Sequence, residues 1–292
     1  MKQPNSKQSN VKVSSFKPRL ATTYEGGDPA FLEMVAPLVD YIEIVPDSIA
    51  ESKGGKRSIK KETLVELQNI CREIPILVHG VGLSIGSYEG YSKDYFCLLD
   101  QLFDQIDIAW HSEHLGYTTV DGVNLGTMLP MPAMEEALEL ISKRVLEIQQ
   151  RYPIPFLLEN VAHVLPVFSK EISVAGFMNA LVLQTDCGLL LDIYNLECDA
   201  HNHGLDIDSF LDELNLNAVW EIHVANGVQH RNLKLDVHSD IPAQSTLNYT
   251  KSVLHKSSSV RAVTYELLSQ AIPVLGHAAI LDELSRIREQ VL

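Results

Sequence analysis

Cysteine is scarce in this 292-residue chain: Cys71, Cys97, Cys187 and Cys198 stand alone, with no C-x-x-C pair and no regular spacing. That excludes a disulfide framework and a cysteine-rich zinc module. Free thiols in a reducing cytoplasm are expected instead, most of them simply packed. Basic residues are in deficit too, 23 Lys and Arg against 38 Asp and Glu, for a net charge of −15. Affinity for nucleic acid or anionic lipid rests on basic patches, and no run of Lys or Arg announces one. Neither is an expected partner. No apolar stretch approaches the ~20 residues of a membrane-spanning helix. The opening "MKQPNSKQSNVKVSSFKP" lacks the hydrophobic core of a secretion signal. Residues 1–17 are expected to form a disordered polar tail ahead of one domain, 18–292.

What the chain does have is alternation. Eight short apolar runs read as strands: "RLATTY" (19–24), "YIEIV" (41–45), "PILVHGV" (75–81), "DIAWHS" (107–112), "PFLLENV" (155–161), "GLLLDIY" (188–194), "AVWEIHV" (218–224) and "VRAVTYEL" (260–267). Helix-period segments lie between them, among them "KETLVELQNICREI", "KDYFCLLDQLFDQI" and "AMEEALELISKRVLEIQQRY", the last entered through Pro132. Near-continuous apolar strands alternating with helices indicate a parallel sheet covered on its outer face. Eight repeats suggest closure into a (β/α)8 barrel. An open doubly wound sheet is the alternative, but no glycine fingerprint follows the first strand to support it. "GYTTVDGVNLGTML" (116–129) alternates around Asp121-Gly122, a hairpin turn pair, so a β-flap is expected after the fourth strand.

Barrels of this kind carry their sites at the C-terminal ends of the strands. Those ends read Tyr24 and Glu25, Glu43, His79, the run His111-Ser112-Glu113-His114, Glu159-Asn160, Asp192 with Asn195, His223 and Glu266. Asp236 and His238 follow on the loop after the seventh strand. Each alone has a bland explanation, since a strand-end Glu often caps a helix and a lone His is more often structural than a ligand. Their coincidence at one mouth changes the balance. Five or so carboxylates cannot be buried together unless cations neutralise them. A mixed His/Asp/Glu set without cysteine suits iron, zinc or manganese better than magnesium or calcium, and eight or nine donors exceed what one ion uses. His230, His201, His203 and Cys198 are weaker candidates nearby. His163, His255 and His277 read as structural or surface residues.

The motifs "HGVGLSIGS" (79–87), "SEHLGY" (112–117), "LLENV" (157–161), "LLLDIYNLECDAHNHG" (189–204), "EIHVA" (221–225) and "LDVHSD" (235–240), taken in order, resemble the multinuclear non-haem iron-dependent oxidases. These belong to the xylose-isomerase-like barrel superfamily. The resemblance implies two or three irons held by His79, His114, Glu159, Asp192, Asn195, His223, Asp236, His238 and Glu266, with Glu159 and Glu266 as bridging candidates. Glu159, Asp192, Asn195 and Glu266 are the residues it places at the chemistry. It further implies dioxygen-dependent modification of a ribosomally synthesised peptide, commonly at cysteine, and a partner protein that delivers the peptide leader. Zinc or manganese, serving a sugar isomerase or epimerase, is the alternative. An endonuclease IV-like hydrolase is disfavoured by Asn at 195, where those nucleases have His. The chain departs from the family pattern after "EIHVA", where Asn226-Gly227 replaces a Gly-His pair, and after Glu266, where Leu267-Leu268 stands.

Overall fold

The computed structural model describes residues 17–163, 165 and 172–292. The expected tail, residues 1–17, lies outside them but for Lys17. Among the described residues eight parallel strands close into a barrel in sequence order. They are β1 (Arg19–Tyr24), β2 (Tyr41–Ile44), β3 (Ile76–Gly80), β4 (Ile108–His114), β5 (Phe156–Glu159), β6 (Gly188–Asp192), β7 (Val219–Val224) and β8 (Ala262–Tyr265). The last pairs with the first, Arg19 against Ala262 and Thr22 against Tyr265, so the barrel itself has no open strand edge. All eight expected strands are present. No helix among the described residues is long and apolar enough to cross a membrane.

Strand side chains alternate between two faces. Outward-facing Leu20, Ile42, Ile76, Val78, Leu158, Leu189, Leu191, Ile222 and Val263 join the helices in one large apolar layer. Inward-facing residues are sorted by height. Ala21, Leu77, Trp110, Leu157, Leu190 and Ala262 make a small apolar floor. Two residues further along each strand the interior turns polar: Thr23, Glu43, His79, Ser112, Glu159, Asp192, His223 and Thr264 are all buried. The two-residue period carries the strands from floor to mouth, with β7 the exception in placing Glu221 at the level of the floor.

Helices α1 (Pro29–Val35), α2 (Lys61–Ile70), α3 (Lys93–Gln105), α4 (Glu135–Arg151), α5 (Val174–Thr185), α6 (Ile193–His203), α7 (Ile207–Glu213), α8 (Gln244–Lys256) and α9 (His277–Val291) cover the outside. Side-chain caps fix several starts, with Ser92 accepting from Tyr95 N and Ser173 from Gly176 N. Pro132 does not open α4, which starts three residues later at Glu135. The flap is a hairpin of Gly116–Val120 against Val123–Pro130, and Asp121 and Gly122 both take positive φ, 49° and 73°. A second hairpin, Ala50–Lys53 with Lys56–Ile59, was not foreseen, although its Gly54-Gly55 turn is a readable signal.

Two helices also escape the pattern, each for a physical reason. α6 begins at the residue after β6, and Asp192 serves as both strand end and N-cap, accepting from Asn195 N. With no turn between them, strand and helix read as one apolar run. α8 is rich in Ser, Thr and Asn and buries Thr246 and Thr250 on its inner face, which hides its apolar period.

His111 and Glu113 face the helix layer rather than the mouth. His111 Nε2 lies 2.8 Å from Glu113 Oε1, and its ring meets Phe103 and Phe156. Gly80 makes room for this pair, because a Cβ there would sit 1.9 Å from Glu113 Oε1 and 2.2 Å from its Cδ. The Glu113 carboxyl is buried and cannot swing into water. Gly80→Ala is therefore expected to cost about 1–3 kcal/mol or more, the usual range for overpacking. The denaturation midpoint should fall with the slope unchanged, and an unaltered midpoint would mean that Glu113 relocates freely.

Candidate metal centre

The polar upper layer of the barrel converges on Glu159. His79 Nε2 and His114 Nε2 each lie 3.2 Å from Glu159 Oε2, and His223 Nδ1 is 3.6 Å from Oε1. Glu266 Oε2 lies 2.7 Å from His223 Nδ1 and 2.9 Å from His238 Nδ1. His238 Nε2 reaches Asp236 at 2.5 Å and Asp192 at 3.5 Å. Three sets with donor atoms mutually within 4.8 Å are His79–His114–Glu159, His79–His223–Glu266 and Glu159–Asp192–His223–Glu266. A fourth, Glu43–Glu221–His223, lies beneath them.

Neighbouring hydrogen bonds fix which nitrogen of each ring faces inward. His79 Nδ1 sits 2.9 Å from Ser112 Oγ, whose own proton goes to Val78 O. His79 Nδ1–H is then the donor and Nε2 carries the lone pair. His114 Nδ1–H donates to Gly80 O at 2.9 Å, leaving its Nε2 for Glu159. This is the orientation that metal-binding imidazoles take from their outer partners.

Electrostatics set the centre apart from ordinary ion pairs. Glu43, Glu159, Asp192 and Glu221 are wholly buried, and Glu266 is 7% exposed. Burial pushes Glu159 and Glu43 up to about 7, and holds Asp192 well above the usual carboxylate range. Burial also lowers His79. His223 and His238 are pushed down by burial as well, but the carboxylates around them prevail and hold both well above the ordinary imidazole value. Among the described residues, no hydrogen bond reaches either oxygen of Glu159, Asp192 Oδ2, Asn195 Oδ1 or His79 Nε2. A buried polar atom without a partner is costly, and here several point at one another. Lone-pair donors of this composition, gathered and unsatisfied, fit divalent transition ions.

Every expected ligand position lies in or beside this cluster, though not equally. Asn195 stands behind Asp192, its Nδ2 donating to Asn160 O at 3.0 Å. Asp236 is at the periphery, its side chain 25% exposed and touching His238. Tyr24 and Glu25 hold loops instead: Tyr24 donates to Glu66, and Glu25 accepts from Ser48 and from Ser269 N. His230 is exposed on a short hairpin, and Cys198 is buried with Ala162, Tyr194 and Ala225. His201 and His203 tie loops through Asn232 O and His163 O, and His163 is paired with Asp199 at 2.6 Å. Glu221 escaped notice because it sits inside the strand, two residues before the strand-end His223.

The family described as "RiPP precursor modification enzyme MbnB/TglH/ChrH", that is, enzymes acting on ribosomally synthesised, post-translationally modified peptides, matches residues 28–291. A UPF0276 protein of Rhizorhabdus wittichii is 32% identical over 209 residues, 71% of this chain and 72% of its own. A UPF0276 protein of Vibrio vulnificus is 30% identical over 248 residues, 83% of both. Among solved structures, D-psicose 3-epimerase from Clostridium cellulolyticum aligns over 94% of this chain and 99% of its own with a TM-score of 0.61 and 12% identity. The 3-keto-D-glucoside 4-epimerase YcjR of E. coli aligns over 94% and 100% with a TM-score of 0.56 and 13% identity. At such identities the epimerases share the fold alone. The family match spans strands β2 to β8 and every donor described above, so this chain belongs to the MbnB/TglH/ChrH family of RiPP precursor modification enzymes.

Proposed function

We propose that the chain is a multinuclear iron-dependent oxidase that uses dioxygen to modify a residue, expected to be cysteine, of a ribosomally made peptide. The observation that carries this is Glu159, whose two buried oxygens take no hydrogen bond while histidines approach from three strands. In this proposal His79, His114, Glu159, Asp192, Asn195, His223, Asp236, His238 and Glu266 would hold two or three ions. Bound iron supplies the redox capacity to reduce dioxygen at the expense of the substrate residue, and its charge favours a substrate thiolate.

The chain's own residues do the rest. The apolar floor seals the barrel below the donors, and Ser112 and Gly80 O keep His79 and His114 in the tautomer that offers Nε2. The flap after β4 and the 226–245 loop gate the mouth and exclude water. Beside the flap runs a groove of about 610 Å³ with Tyr117, Val120, Met131 and Leu140 among its lining residues. Glu89, Glu136 and Glu139 also line it, which suits an extended peptide with apolar and basic residues. A partner protein would deliver the leader segment to this face.

Protein purified without oxygen should contain two to three irons and consume dioxygen when a cysteine-containing peptide is added. Zinc or manganese, with sugar turnover and no dioxygen uptake, would replace this proposal with an epimerase.

A further inference from the structure

Glu221 is wholly buried on β7, in register with the floor residues Leu190 and Ala262 and one inward step below His223. Its oxygens are already taken. Trp110 Nε1–H donates to Oε2 at 2.6 Å, and Thr264 Oγ1–H donates to Oε1 at 2.5 Å. Oε1 is 3.7 Å from His223 Nε2, on the side of the ring away from Glu159 and Glu266. Glu43 completes this lower side, with both oxygens 3.3 Å from the same nitrogen. The contrast with Glu159 is plain: one buried carboxylate is fully engaged by fixed donors, the other by none.

We infer that Glu221 is a positioning residue and not a metal ligand: anchored by Trp110 and Thr264, it works with Glu43 to keep the proton of His223 on Nε2, so that Nδ1 faces the metal donors. This rests on the metal centre proposed above. Glu266 and Glu159 stand against Nδ1 as Glu43 and Glu221 stand against Nε2; an ion held by the first pair would take the Nδ1 lone pair, and the second pair would then accept the proton left on Nε2. His79 and His114 are oriented by a hydroxyl and a carbonyl and offer Nε2. His223 is oriented by carboxylates and offers the opposite nitrogen.

The test is an anaerobic titration of the full-length protein with Fe(II) against a competing chelator, for wild type, Glu221→Gln and Trp110→Phe. In Glu221→Gln an amide NH2 in place of Oε1 would donate toward Thr264 and face His223 Nε2 as a donor, favouring the wrong tautomer. Expected is full iron stoichiometry at saturation, with the weakest ion bound about 10–100-fold less tightly. Trp110→Phe should show a smaller loss in the same direction, and it carries the test if Glu221→Gln does not fold. In Zn(II)-loaded protein labelled with 15N-histidine, His223 should be ligated through Nδ1 and protonated at Nε2. A whole equivalent of iron lost at saturation would make Glu221 a ligand and overturn the inference. So would wild-type affinity in both variants, or ligation through Nε2. A wild type that binds no Fe(II) would sink the metal centre itself, which the wild-type titration reports separately.

Discussion

Glu159→Ala is expected to yield a folded barrel that no longer retains its iron and loses activity by on the order of 100-fold or more, beyond the ~10–100-fold cost of losing an outer partner. The reasoning is geometric. Among the described residues Glu159 is the one side chain within 3.6 Å of His79, His114 and His223 together, so its removal empties the junction between donor sets. The fold should survive, because burial already pushes this carboxyl up to about 7 and it accepts no hydrogen bond. Deleting it removes a buried charge rather than a tether. Iron per chain, measured after gel filtration, checks the first part, and the thermal midpoint of metal-stripped protein checks the second. Unchanged iron content would remove Glu159, and with it the proposed centre.

Stripping the metal should produce the second large effect, and it should depend on pH. An ion present at 100 times its dissociation constant adds about 2.7 kcal/mol, so each ion removed should lower the midpoint by ~4–5 °C in a chain of this size. The sign with pH follows from the raised groups. Glu43 and Glu159, at about 7 against 4.5 unperturbed, keep protons in the native stripped protein that the unfolded chain releases. Their contribution to stability therefore falls as pH rises from about 4.5 to 7. His223 acts in the same direction: its native value lies well above 6.5, so its stabilisation is complete below 6.5 and is lost at higher pH. Ions must displace these protons, and bind better as pH rises. The gap between loaded and stripped midpoints should be wider at pH 8 than at pH 6. A gap that is constant or narrows would contradict the assignment of these carboxylates to the centre.

Much of this arrangement could be read from the residues. The eight strands were visible because parallel strands covered by helices are apolar throughout, and their polar ends marked the mouth. Pairings across the chain were not visible. That His223 leans on Glu43 below and Glu266 above depends on barrel closure, which no local pattern encodes. Glu221 stayed hidden for a related reason, since a carboxylate inside an apolar strand has no sign of its own until Trp110 and Thr264 are seen beside it. His111 and Glu113 were read as mouth residues because they share a tetrapeptide with His114. The alternation of β4 sends them to the opposite face, where Gly80 accommodates them.

Closure of the sheet has a consequence for how this protein matures. The donors are spread from β3 to β8, and β8 is the strand that seals the ring against β1. A nascent chain lacking its last strand would have neither Glu266 nor the wall that confines His223. Cations would then be acquired only by a finished barrel, entering from above, so supply of the ion and production of the polypeptide can be timed separately in the cell.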